Sequence, residues 1–153
     1  MRIRITWKQG PEFPDLVKGG AMGIIDGVVV HVAGMTYPWR ENETGWWLDP
    51  LKEDWQPLPP LPVGRAYTMG VSGGDALFVV GGRRKGLPRS DAFRLVRAGD
   101  GWDWQSLPEL QHPRGVPALA LLGSKLYAIG GGSWGISAFL PNSVPEDEML
   151  DLG

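Results

Sequence analysis

The chain has 153 residues, including 23 Gly, 14 Pro, eight Trp and no Cys, and its formal net charge is −2. Because 42% of the residues are hydrophobic, the Gly and Pro excess does not indicate a disordered or collagen-like chain. The absence of Cys excludes disulfides and thiol chemistry, and the charge argues against a nucleic-acid-binding surface. We therefore predict a turn-rich, all-β protein.

In chain order, the first signal is a segment that begins with Trp and ends with Pro, and it occurs three times. Its tryptophans lie 48 and 49 residues apart, at Trp7, Trp55 and Trp104. Three apolar runs that end in small residues have the same spacing, and they close at Gly34, Gly82 and Gly131. Two independent landmarks with one period predict a repeat of about 49 residues.

Each repeat contains the signals of four strands. A Gly-containing turn joins two short apolar runs, which is typical of a β-hairpin; the runs before the turns are 21–25, 67–71 and 117–122, and the turns are Asp26-Gly27, Gly74-Asp75 and Gly123-Ser124. A third strand is predicted at 45–49 and 91–95, and the Trp segments supply the fourth. Four antiparallel strands in about 49 residues predict one propeller blade per repeat.

The residues in these positions resemble the kelch repeat. Gly64-Arg65-Ala66, the doublet Gly81-Gly82 and the segment from Trp104 to Pro108 follow the kelch pattern in order, and the next repeat runs from His112 to Gly131. The first repeat departs from it, because Ala33 replaces the first Gly of the doublet and Val17-Lys18 stands where Gly-Arg is expected. The resemblance implies an all-β, kelch-type β-propeller segment of three four-stranded antiparallel blades.

We predict one domain, 1–153, with repeats at approximately 15–58, 63–107 and 112–153 and a rim strand within 1–10. Three blades do not close a ring, since propellers have four to eight. Either the chain is a truncated piece of a longer propeller, or two chains form a homodimer with six blades. In the second case the strand near Ile3–Gln9 would complete the last blade of the partner, whose third strand lies within 136–152.

The predicted strand directions bring two sets of loops to one face. The first set carries Arg65 and Arg114, and the second carries Tyr37, Trp39, Arg40, Glu41, Glu43, Arg83, Arg84, Lys85, Arg89 and Trp134. Guanidinium groups bind carboxylates in pairs of hydrogen bonds, and aromatic rings stack on sugars. We therefore select as candidate ligand-binding residues Arg65, Arg83, Arg89, Arg114, Trp39 and Trp134.

Structural roles compete with this interpretation. Arg65 and Arg114 could instead bond backbone carbonyls and so connect blades, and the run Arg83–Lys85 could be a solvated loop. Trp39 and Trp134 could cover an edge of the core. His31 lies inside a strand and is expected to be a packed residue.

One segment, Gly86 to Phe93, is similar to the sialic-acid mutarotase branch of kelch propellers, and this resemblance implies that Arg89 binds the carboxylate of an acidic sugar. That branch has a Glu after the glycine doublet, where this sequence has Arg83. The expected acid/base group is therefore missing, and Glu41 or Glu43 could serve only in principle. No catalytic residue is assigned.

The sequence predicts a binding module for a protein or for a small anionic or sugar ligand. The alternatives are a mutarotase-like sugar isomerase that requires a complete ring, and a structural fragment of a longer propeller. We lean against an enzyme and expect no cofactor, since no metal-binding or phosphate-binding motif is present. Without an apolar leader or an 18-residue apolar stretch, we expect a cytoplasmic protein that binds neither membrane nor nucleic acid.

Overall fold

The structure is a computed structural model that describes residues 5–133 and 143–153. All of its strand pairs are antiparallel and its described residues contain no helix, which confirms the all-β prediction. The strands are β1 (Val17–Lys18), β2 (Ala21–Ile25), β3 (Val28–Thr36), β4 (Arg40–Asp49), β5 (Asp54–Leu58), β6 (Met69–Gly73), β7 (Ala76–Val80), β8 (Arg83–Arg84), β9 (Leu87–Pro88), β10 (Ala92–Ala98), β11 (Gly101–Leu107), β12 (Ala118–Leu122), β13 (Lys125–Ile129) and β14 (Glu148–Asp151).

Three sheets follow one another along the chain. In the first, β1 and β2 both pair with β3, and β4 and β5 continue the sheet. The second has the order β6, β7, β10, β11, and the third has the order β12, β13, β14. A small hairpin of β8 and β9 lies in the connection between β7 and β10. The third sheet thus has no described strand outside β14.

The backbone repeats its unusual conformations with the period seen in the sequence. Gly19, Tyr67 and Val116 have φ angles of 67°, 54° and 53°. In each repeat the first of the two small residues that close the apolar run does the same, because Ala33, Gly81 and Gly130 have φ angles of 62°, 62° and 59°. Ala33 therefore adopts the left-handed conformation of its glycine counterparts, and it does so at a β-bulge between Val32 and Gly34.

Alternation along the strands builds two cores, one on each side of the second sheet. The first core lies between the first and second sheets and includes Val30, Val32, Leu77 and Leu95, none of which is exposed. The second core lies between the second and third sheets, where Phe78, Val80, Leu126 and Ala128 are buried. Each core is therefore shared by two neighbouring sheets, and the three sheets stack in chain order.

The rim strand predicted near Ile3–Gln9 has no counterpart among the described strands, and its pairing with a second chain stays a prediction. Residues 1–4 lie outside the described residues, and residues 5–9 form no strand with any described segment. Trp7 is 98% exposed. The third strand predicted within 136–152 is β14, and the part of that range from 136 to 142 lies outside the described residues.

Candidate functional site

Backbone hydrogen bonds bring the four candidate arginines together at one end of the sheets. Ala66, next to Arg65, exchanges two hydrogen bonds with Arg83, with N–O distances of 3.0 and 2.7 Å. The Arg114 amide donates to the Arg89 carbonyl at 3.0 Å. The predicted convergence of these loops is therefore present in the backbone, although the four side chains have different surroundings.

The side chain of Arg65 is fully buried and bonded on all sides. Its Nε donates to the Val63 carbonyl at 3.0 Å, and its Nη1 donates to the carbonyls of Gly81 and Asp91. Its Nη2 donates to the Asp91 carboxylate at 2.6 Å. Burial lowers the pKa of Arg65 and the Asp91 charge opposes this, but a guanidinium stays protonated in proteins.

Arg114 repeats this arrangement 49 residues later. Its side chain is also fully buried, and its Nη1 donates to the carbonyls of Gly130 and Glu146. Its Nη2 donates to Glu148 at 2.7 Å. Burial by itself would raise the pKa of Glu148. Hydrogen bonds from the backbone amides of 111 and 112 and from Arg114 outweigh burial, so the net pKa lies below the usual value. Both arginines thus have the carbonyl-bonding role that the sequence analysis weighed against ligand binding.

Arg89 is partly open to solvent, with 39% of its side chain exposed. Its Nε donates to Asp91 Oδ1 at 3.1 Å and its Nη2 to Oδ2 at 3.4 Å. The hydrogen bond to Asp91 raises the pKa of Arg89. Burial raises the pKa of Asp91, but bonds from Arg89 and the charge and bonds of Arg65 outweigh it, so the net pKa lies below the usual value. One carboxylate therefore serves two arginines.

The hairpin of β8 and β9 carries three cations, two of which are exposed. Arg83 is half-buried and its Nη2 donates to the Gly86 carbonyl at 2.6 Å, whereas Arg84 and Lys85 are exposed. Lys85 turns the chain with a φ of 49°, and its amide donates to Glu41 Oε1 at 2.8 Å. This bond joins the hairpin to β4, so that the second sheet's loop rests on the first sheet. The sequence analysis expected a loop here and missed the hairpin.

Trp39 lies in the turn between β3 and β4. The turn contains a cis peptide bond between Tyr37 and Pro38, and Trp39 has a φ of 75°. Trp39 is 64% exposed and Tyr37 is 82% exposed, so neither covers the core. The Lys18 ammonium lies 3.9 Å from the centre of a Trp39 ring, a cation–π contact. Trp134 lies outside the described residues.

These groups form what we call the basic loop surface, which we define as Lys18, Tyr37, Trp39, Arg40, Arg83, Arg84, Lys85 and Arg89. Two acidic residues, Glu41 and Glu43, lie beside it, and Glu41 is engaged by Lys85. The sequence analysis did not include Lys18, because only the fold brings β1 against the β3–β4 turn. The chain is acidic as a whole, so this concentration of cations is local.

Within 5–133 and 143–153, no group of three His, Cys, Asp or Glu residues is placed to hold a metal ion. His31 is half-buried against the edge of the Phe13 ring, and burial lowers its pKa while Asp15 opposes the shift. No helix in this described part of the chain is long and apolar enough to cross a bilayer.

Comparisons with known proteins agree with the architecture. No protein-family model matches the chain. It is 25% identical over 138 residues to beta-scruin of Limulus polyphemus, covering 83% of this chain and 15% of that protein. It is 25% identical to the kelch-like protein terF of Aspergillus terreus, over 85% of this chain and 31% of that one. It is 27% identical to the kelch repeat protein M-T8 of Myxoma virus, over 82% of this chain and 24% of that one.

A solved structure, that of YjhT, matches the chain with a TM-score of 0.70. The two sequences are 16% identical, and the match covers 80% of this chain and 46% of the other. At that identity the likeness supports the fold alone. The chain spans less than a third of the length of beta-scruin, terF and M-T8.

Proposed function

We propose that this homologue of kelch-repeat proteins is a propeller-type binding module whose basic loop surface takes an acidic segment of a protein partner. The observation that carries the proposal is the exposure of Arg84 and Lys85 on a hairpin that the Lys85–Glu41 hydrogen bond holds against β4. That strand begins directly after the exposed rings of Tyr37 and Trp39. Arg, Trp and Tyr are the residues that dominate the binding energy of protein interfaces. A surface that combines them favours a partner with carboxylates and apolar side chains.

The two buried arginines, Arg65 and Arg114, do not contribute to the charge of the basic loop surface. Asp91 neutralises the buried Arg65 and Glu148 neutralises the buried Arg114, so those ion pairs add little field outside the protein. Arg84 and Lys85 are exposed, and both can turn toward an incoming carboxylate. Interactions of exposed charges are screened by salt, so binding should weaken as the ionic strength rises.

The experiment measures fluorescence anisotropy of a labelled peptide rich in Glu and Asp, titrated with the full chain. The double variant Arg84→Glu/Lys85→Glu is expected to weaken binding about tenfold or more, equivalent to about 1.4 kcal/mol. The control Lys52→Glu/Lys125→Glu changes the net charge equally at exposed positions away from this surface. If both variants weaken binding equally, the peptide senses only net charge and the proposal fails.

A second candidate is a sugar isomerase acting on an acidic sugar. It is favoured by the position of Arg89, which is partly exposed within the segment Gly86–Phe93 that resembles the sialic-acid mutarotase branch. Two points weigh against it: Asp91 already occupies Nε and Nη2 of Arg89, and Arg83 stands where that branch has Glu. Exchange of the anomers of N-acetylneuraminate, followed by NMR, tests it. An unchanged rate in the presence of the chain removes this candidate.

A further inference from the structure

The first and second sheets each end in an outer strand that carries a tryptophan, whereas the last described strand of the third sheet is β14. In the first sheet Leu48 of β4 lies opposite Trp55 of β5, and in the second Leu95 of β10 lies opposite Trp104 of β11. Leu150 of β14 pairs with Leu126 as Leu95 pairs with Leu77. In the described part of the chain no strand lies on the other side of Leu150.

A cavity of about 470 Å³ lies next to this edge, between the second and third sheets. Its apolar lining includes Val80, Ala92, Leu110, Leu126 and Leu150.

In the corresponding space between the first and second sheets lies the side chain of Trp104. Trp104 packs edge-on against Phe93 with ring centres 6.4 Å apart, and its Nε1 donates to the Pro59 carbonyl at 3.0 Å. Pro108, which is 49 residues after Pro59, lines the cavity. The cavity therefore combines apolar walls with the counterpart of the proline whose carbonyl accepts from Trp104, and polar residues from 109–112 and 146–148 also line it.

The segment around Trp7 has the properties of the missing strand. Trp7 lies 48 residues before Trp55, and Pro11 follows it as Pro59 follows Trp55. Ile5 is 82% exposed and Trp7 98% exposed, and residues 5–9 have no strand partner within 5–133 and 143–153. Large apolar side chains with that exposure gain free energy from any site that buries them.

This segment cannot reach β14 of its own chain. Phe13 packs against His31 and Trp55, with ring centres 4.9 Å apart in both contacts. His31 lies on the face of the first sheet that points away from the second, because its neighbours Val30 and Val32 belong to the core between these sheets. The four Cα-to-Cα steps from residue 9 to residue 13 extend about 14 Å, whereas two sheet spacings amount to about 20 Å.

We propose that residues 5–9 of a second copy of this chain form the outer strand of the third sheet, with Trp7 opposite Leu150 and its indole in the cavity. Trp7 Nε1 then donates to the Pro108 carbonyl. The antiparallel register places Lys8 opposite Met149 and Ile5 opposite Leu152. A two-fold symmetric pair makes this exchange twice, and the proposal stands apart from the basic loop surface.

Charge supports this pairing. Residues 2–8 contain Arg2, Arg4 and Lys8 and no acidic residue. The sequence at β14 is acidic, with carboxylates at Glu146, Asp147, Glu148 and Asp151. With Trp7 opposite Leu150, Lys8 lies diagonally across from Asp147 and Asp151, at a separation that a long side chain can reach.

The exposed outer faces of the first and third sheets also favour a second copy, and so does a buried indole N–H that has no acceptor in the described part of the chain. The outer face of the first sheet exposes Met22 and Ile24, and that of the third exposes Leu122, Ile129 and Met149. The Nε1 of Trp55 is buried without an acceptor among the described residues. When the segment before Phe13 leaves to pair with another copy, the carbonyl of Pro11 becomes available in the way that the carbonyl of Pro59 serves Trp104.

Light scattering coupled to size-exclusion chromatography of the full chain tests the association. We expect a mass of twice 16.7 kDa for the chain and for the control variant Leu51→Ala, which removes a leucine that is 93% exposed. Trp7→Ala should give a single-chain mass without unfolding, because Trp7 makes almost no contact within its own chain. A single-chain mass for the unaltered protein, or a dimer that persists in Trp7→Ala, overturns the proposal.

Cross-linking tests the register in this Cys-free chain. Lys8→Cys/Met149→Cys should form a covalent dimer under oxidising conditions, because directly opposed residues have the Cα separation of a disulfide. Lys8→Cys/Asp151→Cys, shifted by two residues, should form several-fold less. Equal yields refute the register, and a disulfide within one chain refutes the second copy as the occupant.

Discussion

Replacing Asp91 by Ala tests the idea that the buried arginines hold neighbouring sheets together. Asp91 accepts from Arg65 at 2.6 Å and from Arg89 at 3.1 and 3.4 Å. The Arg65 side chain is fully buried and that of Asp91 is 11% exposed. Removing the carboxylate therefore leaves a guanidinium charge in the interior without its counter-charge.

The loss of unfolding free energy depends on the hydrogen bonds that Arg65 retains in the variant. Breaking a buried ion pair by removing one partner costs about 3–5 kcal/mol. Arg65 retains the carbonyls of Val63, Gly81 and residue 91, so we place the cost of Asp91→Ala at the lower end, about 3 kcal/mol. For a chain of this length that corresponds to a fall in Tm of roughly 6–12 °C.

Urea denaturation followed by tryptophan fluorescence measures this cost. Asp103→Ala is the matched control, because Asp103 is exposed and has one hydrogen bond, of 3.4 Å, from Gln105. Its effect should stay within about 0.5 kcal/mol. If Asp91→Ala destabilises the chain no more than this control does, the ion pair contributes nothing and the reasoning is wrong.

Two further predictions concern stability. Gly81→Ala should cost about 2 kcal/mol more than Gly130→Ala, as measured by urea denaturation: both glycines have φ near 60°, but a Cβ at 81 would collide with the Arg114 carbonyl oxygen and one at 130 meets nothing within 4 Å. The carboxylates of Asp91 and Glu148 have lowered pKa values, so their stabilisation is complete above their usual pKa near 4 and is lost as the pH falls through the lowered values. In acid titrations, the stability difference between the chain and Asp91→Asn should therefore shrink below pH 4.

The repeat could be predicted from the sequence because the backbone angles of its turns require particular residue types at fixed positions. Glycine doublets and Asp-Gly turns mark positions with positive φ, and the structure has those angles at Asp26, Gly74 and Gly123. Ala33 shows the limit of such a pattern. It breaks the doublet but takes the same φ as Gly81, since the sheet around it determines the backbone conformation.

The site was less predictable because it depends on distances between repeats. Arg65 and Arg89 look alike in the sequence and both bond Asp91, but the side chain of Arg65 is fully buried whereas 39% of that of Arg89 is exposed. The strand register places Glu146 in the third sheet where Asp91 lies in the second. The Glu146 carbonyl does accept from Arg114, while the charge comes from Glu148. The length of a Glu side chain permits this shift of two residues, and no local pattern signals it.

The departure of the first repeat explains where the surface charge comes from. Val17 stands 48 residues before Arg65, so the first sheet has no buried guanidinium at this position. The next residue, Lys18, stays exposed and lies over Trp39. In the second and third repeats the arginine at this position donates its hydrogen bonds to backbone carbonyls and a carboxylate. A ligand would therefore meet the cations that the repeat does not use for its own fold, namely Lys18 and those of the β8–β9 hairpin.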